Sequence, residues 1–217
     1  MRLIYTYNGM NRKLITFGVL LFTTFILAAD DWPLFRGNRG LTGIASGKLP
    51  EKLTLLWKFD AKGPVKASAV IGEGMVFVGG DDNAKRGIKG KLYAINLNNG
   101  KKAWEFTCSD PIEGPAMYMD GRVFVGSIDG FLYALDAKTG KELWKFETGD
   151  QIIGGPNWTK SSDGKNTYVI VGSHDFFLYC LNMKTGEKIW EYESENYING
   201  SPALTNGRTM FGGCDAL

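Results

Sequence analysis

The stretch ALDAKTGKELW, residues 134–144, decides the reading of this chain because it recurs. AINLNNGKKAW occupies 94–104 and CLNMKTGEKIW occupies 180–190. The closing tryptophans, Trp104, Trp144 and Trp190, stand 40 and 46 residues apart, and Trp57 in LLWKFD stands 47 residues before the first. Self-similarity at that period marks a repeat architecture, in which each unit buries its faces against its neighbours.

Working outward from the phrase, each repeat resolves into four strand-like runs. A short run follows a Gly-Pro or Ser-Pro pair, over 66–71, 115–119, 155–160 and 201–205. Next comes MVFVGG, RVFVGS or YVIVGS; then KLYAIN, FLYALD or FLYCLN; then KAWEF, ELWKF or KIWEY. β-Branched and aromatic residues dominate these runs, and Gly, Asn and Asp separate them. No long window beyond position 30 carries a helical period. Gly100, Gly140 and Gly186 sit where a short bulged hairpin needs a left-handed residue. Each repeat thus reads as a four-stranded antiparallel meander, and radial stacking of such units gives a β-propeller. The fold expected is all-β, an incomplete propeller of about three and a half blades, with full repeats at 65–106, 112–146 and 152–192.

The phrase A-x-D-x-x-T-G-x-x-x-W resembles the signature of the PQQ-type propeller repeat. That repeat is found in quinoprotein alcohol dehydrogenases and in BamB-like propellers of the bacterial outer-membrane barrel-assembly machinery. Residues 134–144 match at every specified position; the first copy departs at Asn96 and Asn99, the third at Cys180 and Asn182. The resemblance implies that Trp104, Trp144 and Trp190 dock on the neighbouring blade, with Trp57 as a lone fourth strand. The opening DWPLFRGNRG, residues 31–40, is similar to the start of secreted bacterial PQQ-like propellers. Such propellers have seven or eight blades, so the resemblance implies an N-terminal part of a longer protein of about 400 residues. Either a missing propeller half or self-association is then expected, because an open end exposes strand edge and apolar face.

Residues 14–27, LITFGVLLFTTFIL, carry no charge, follow Arg12 and Lys13, and precede two alanines. This is the layout of a secretory signal, and the run is short for a membrane span. A signal peptide is expected over 1–29 (with Met10 an alternative start), a lead segment over 30–56 and the propeller over 57–217. The localisation expected is secreted or periplasmic; an uncleaved anchor would instead make this a membrane-held sensor ectodomain. Of 25 basic and 23 acidic residues, the signal holds Arg2, Arg12 and Lys13 and no acid, so the remainder has a net charge of −1. That balance makes no case for nucleic acid. Cys108, Cys180 and Cys214 are odd in number, and Cys180 stands where the other repeats have alanine. Pairing of Cys108 with Cys214 stays open.

No catalytic constellation emerges. His174 is the only histidine, so neither a histidine zinc site nor a Ser-His-Asp arrangement can be assigned. The candidate binding face is the one carrying the second-to-third-strand loops. Its largest feature is GDDNAKRGIKGK, residues 80–91, with Asp81, Asp82, Lys85, Arg86 and Lys89. That loop lacks the alternating oxygen ligands of a calcium site. His174, in a tight turn, and Trp158, in an innermost strand, complete the candidates. In quinoprotein dehydrogenases the quinone lies on the propeller axis with calcium, held by acidic and amide side chains. No catalytic aspartate or calcium ligand matches residue by residue here. The expected function is therefore a protein- or ligand-binding scaffold, its partner a protein, glycan or small molecule. No cofactor is expected in this segment, although PQQ with calcium fits the intact protein. The alternative is the N-terminal part of a PQQ- and calcium-dependent alcohol or sugar dehydrogenase.

Overall fold

A computed structural model of the protein describes residues 31–48, 50–84 and 86–214. The expected signal over 1–29, the start at Met10, and Lys85 lie outside the described residues. Strands and turns make up the ordered elements, and no helix is present among the described residues.

The first blade comprises β1 (Val70–Gly72), β2 (Met75–Asp81), β3 (Gly90–Asn96) and β4 (Lys102–Cys108). The second comprises β5 (Met117–Met119), β6 (Arg122–Gly126), β7 (Phe131–Asp136) and β8 (Glu142–Glu147). The third comprises β9 (Asn157–Lys160), β10 (Thr167–Gly172), β11 (Phe177–Asn182) and β12 (Lys188–Glu193). Each is an antiparallel meander in chain order, and β13 (Ala203–Thr205) with β14 (Arg208–Met210) forms a two-stranded start of the next unit. The first strands converge, β1 against β5 and β9 against β13, which sets the blades radially.

Sequence and structure differ in extent at two places. The first strands begin later than expected: β5, β9 and β13 follow Pro115, Pro156 and Pro202, which have no N–H to give to a ladder, and β1 begins at Val70. The loop expected over 80–91 is shorter: Gly80 pairs with Lys91 and Asp81 with Gly90, so only 82–89 leave the sheet. Gly90 permits this close approach, since a Cβ there would lie 2.1 Å from the Asp110 carbonyl oxygen.

The repeated phrase has one structural job, performed three times. Asp136 Oδ1 accepts the amides of Lys138 and Thr139 and the Thr139 hydroxyl, closing the hairpin. Asn96 and Asn182 do the same with an amide oxygen, so Asp and Asn are equivalent here. The ladder shifts register after Ala94, Ala134 and Cys180, the bulge that a left-handed glycine completes. Onto each glycine lies the tryptophan of the preceding unit. Trp57 Nε1–H donates to the Leu97 carbonyl (2.7 Å), Trp104 to Ala137 (3.0 Å) and Trp144 to Met183 (3.1 Å). A Cβ on Gly100, Gly140 or Gly186 would fall 2.6–2.7 Å from the ring. An indole thereby buries its face and satisfies its only donor at once.

A second aromatic pair repeats beside the first. Phe59 meets Tyr93, Phe106 meets Tyr133 and Phe146 meets Tyr179, with centroids 5.0–5.3 Å apart. The core lies between blades, with Phe77, Tyr118 and Val123 packed between the first and second. Phe124, Ile152 and Val169 fill the space between the second and third.

Candidate functional site

The axial side of the blades is built from the N-terminal lead. Trp32 exchanges both backbone hydrogen bonds with Ile71 of β1, at 2.9 Å each. The Tyr118 amide in β5 donates to the Pro33 carbonyl (2.6 Å), and the Leu204 amide in β13 donates to Arg39 (2.7 Å). At β9 the bond comes from a side chain, Asn157 Nδ2 donating to the same Arg39 carbonyl at 2.9 Å. One segment thus ties the innermost strand of every unit. Its left-handed residues, Arg36, Gly37, Leu41 and Gly43, let it double back, and the Trp32 ring covers Gly37. Leu34, 1% exposed, enters the core between the second and third blades.

Trp158, the aromatic singled out as an axis contact, does sit in an innermost strand. Its ring is partly buried against that core and covered by Arg39, whose guanidinium carbon lies 4.5 Å from the ring centroid. A quinone held with calcium on the axis needs open space there and carboxylate or amide oxygens aimed inward. Leu34 instead packs between the second and third blades, Arg39 covers the Trp158 ring, and the Asn157 amide is committed to the Arg39 and Pro202 carbonyls. Among the described residues no three His, Cys, Asp or Glu side chains come together as metal ligands.

The loop face shows where its acids go. Asp81 is buried and its carboxylate accepts the Asn83 amide; Asp82 accepts the amides of Ala84 and Lys89. Those backbone bonds, Lys89 first, hold the Asp82 carboxyl below the usual range. Arg86 and Lys89 extend into solvent from the same loop. In the later repeats a single aspartate does the equivalent work. Asp129 accepts the amides of Phe131 and Ser109 and the Tyr133 hydroxyl. Asp175 accepts the amides of Phe177 and Gly149 and the Tyr179 hydroxyl. Burial first, then the aspartate, drive both phenols far above their ordinary range. Nothing in the sequence singled out Asp129 or Asp175, although their S-x-D-x-F spacing repeats.

His174 lies in the turn before Asp175. Its Nδ1 is 3.0 Å from Gln151 Nε2, its ring packs on Tyr197, and its buried Nε2 meets no protein partner. Among the described residues no hydrogen bond, ion pair or ring contact joins His174, Trp158 and the 81–89 loop. The structure does not bring them together as one site. The three thiols are free: Cys108 bonds the Asp110 carbonyl, Cys180 is buried in the third blade, and Cys214 is exposed beside Asn199.

Four-stranded blades docked through a tryptophan–glycine contact, with the chain's own lead across the axis, define a PQQ-type β-propeller. The chain belongs to the family described as outer membrane protein assembly factor BamB, which it matches over residues 52–196. BamB from Moraxella catarrhalis superposes with a TM-score of 0.59 at 20% identity, over 73% of this chain and 46% of that one. A quinohemoprotein alcohol dehydrogenase from Comamonas testosteroni gives 0.61 at 23%, over 76% and 27%. The computationally designed Ika4 protein gives 0.59 at 15%, over 76% of this chain and 94% of its own. The chain therefore spans less than half the length of the two natural proteins. At these identities the likeness carries the fold alone. No curated protein matches the chain.

Proposed function

We propose that this chain is a binding scaffold exported to the bacterial cell envelope, with no catalysis in the described segment. The observation that carries this reading is the lead across the axis, from Trp32 at β1 to Arg39 at β13. Its bonds to Ile71, Tyr118, Asn157 and Leu204 line the innermost strands with the chain's own residues, which supports a binding role over a cofactor site there. Asp81, Asp82, Asp129 and Asp175 of the loop face are committed to backbone amides, the last two also to tyrosine hydroxyls, which makes them structural groups. The family description names outer-membrane protein assembly, and this reading carries that over: the partner is a protein of the envelope. Export rests on the uncharged run over 14–27 behind Arg12 and Lys13.

The deciding experiment titrates PQQ into the purified chain with and without calcium and follows tryptophan fluorescence and dye reduction with alcohols and sugars. No saturable quenching and no dye reduction are expected. Calcium-dependent saturation with turnover overturns the scaffold reading in favour of the quinoprotein dehydrogenase. In parallel, affinity capture from a periplasmic extract is expected to retain a defined envelope protein whose retention excess free chain competes away.

A further inference from the structure

On the face carrying the strand-one-to-two turns, equivalent clefts lie between successive blades. Between the first and second blades the cleft is lined mainly by Met75, Phe77, Tyr118 and Ala137. Its counterpart between the second and third blades, about 250 Å³ in volume, has a different character. Arg122 takes the place of Met75, Lys184 takes that of Lys138, and the longer loop of the third blade adds Lys160, Lys165 and Asn166. One carboxylate, Asp120, lines it with them.

These cations are not neutralised locally. Arg122, Lys160 and Lys184 make no ion pair or side-chain hydrogen bond among the described residues, and Arg122 is half-buried. Asp136 stands across the strand from Arg122, but its carboxylate is turned into its own hairpin, with the Thr139 hydroxyl the largest influence holding its pKa down. Asp163 lies 3.8 Å from Lys165 and also takes the Ser161 hydroxyl (2.6 Å). The loop presenting Lys165 and Asn166 is closed on itself, Ser161 and Asn166 bonding through both backbone and hydroxyl. The result is a preshaped concavity with several positive charges and one negative, where low-dielectric walls concentrate the field.

We propose that this cleft binds a phosphate group. A guanidinium fork flanked by ammonium groups and an amide suits a compact, doubly charged oxyanion better than a single carboxylate. The phosphate can belong to a soluble ester or to a lipid headgroup, and the site stands apart from the axial reading above.

Calorimetry of the 217-residue chain with inorganic phosphate at low salt is expected to show saturable binding at about millimolar concentration or below, weakening as salt rises. Arg122→Met, which copies the residue of the first cleft, should weaken it about tenfold or more. Lys160→Gln with Lys184→Gln should do likewise, while Lys138→Gln in the other cleft should leave it unchanged. Flotation with phosphatidylcholine vesicles containing phosphatidic acid separates the sources. Vesicle binding without phosphate binding, lost in Arg122→Met, assigns a lipid headgroup; saturation by phosphate alone assigns a soluble ester. Binding that neither the Arg122 nor the lysine variant weakens, or no binding to either probe, overturns the proposal.

Discussion

At the scale of the residue, the molecule is held by a contact that demands glycine twice over. Gly140 has φ +72°, and its missing Cβ is what lets the Trp104 ring settle on the turn. Gly140→Ala therefore meets a left-handed backbone costing about 1–2 kcal/mol, plus ring overlap that only withdrawal of the indole can relieve. Trp104→Ala, at a site 9% exposed, is expected to lose about 3–5 kcal/mol. Trp190 fills the same place in its repeat but is 41% exposed and docks on no turn among the described residues, so Trp190→Ala should lose less than about 1 kcal/mol. Urea unfolding of the three variants checks the order, and equal losses for Trp104 and Trp190 would refute it. Thiol chemistry divides the same way. Burial pushes Cys108 up to about 11 and Cys180 up to about 12, which withholds the reactive thiolate near neutral pH. With Ellman's reagent at pH 8 the folded chain should release one equivalent, from exposed Cys214, and two more only in denaturant.

At the scale of the element, the lead is the least regular segment and does the most joining. It reaches the innermost strand of all three blades and of the final hairpin, and contributes Leu34 to the core. Deleting residues 31–43 removes these backbone bonds, the Leu34 side chain and the cover on Trp158 together. Loss of the buried leucine alone is worth about 2–5 kcal/mol. The deletion is expected to lower the unfolding midpoint, to redshift Trp158 emission and to admit acrylamide quenching; unchanged emission and midpoint would show the lead to be dispensable. The sequence offered Trp32, with Phe35 and Arg36, as a cap on the propeller, without the periodicity that would tell which strands the lead meets. Its place depends on strands up to about 170 residues further along, as the Leu204–Arg39 bond illustrates.

At the scale of the whole molecule, the two ends of the blade stack are unequal. The first blade is covered by Trp57, Phe59 and Ala61, an imitation of a preceding fourth strand. The third presents β12, exposed along its whole length, with Ile189, Trp190 and Tyr192 at 43%, 41% and 57%. Phe211, just after the final hairpin, meets the Tyr192 ring edge-on. Such a face associates in water. Sedimentation of the 217-residue chain is expected to show mass rising with concentration, and Trp190→Ser with Tyr192→Ser to return it toward the monomer; a monomer at all concentrations would count against this.

The sequence by itself determined the blade. Its alternation, the Asx-closed hairpin and the tryptophan-to-glycine contact are local or join adjacent repeats, so a repeated phrase records each of them. The same applies to Trp57, which was legible because it copies the phrase's last residue at the right spacing. What only the tertiary structure decided were the features that occur once. The lead's course across the axis, the shortening of the 80–91 loop by the Gly80–Lys91 pair, and the replacement of an apolar cleft by a cationic one all arise where residues distant in the chain meet. A repeat reports its own neighbours; it holds no record of which unrepeated residues the closing geometry brings against them.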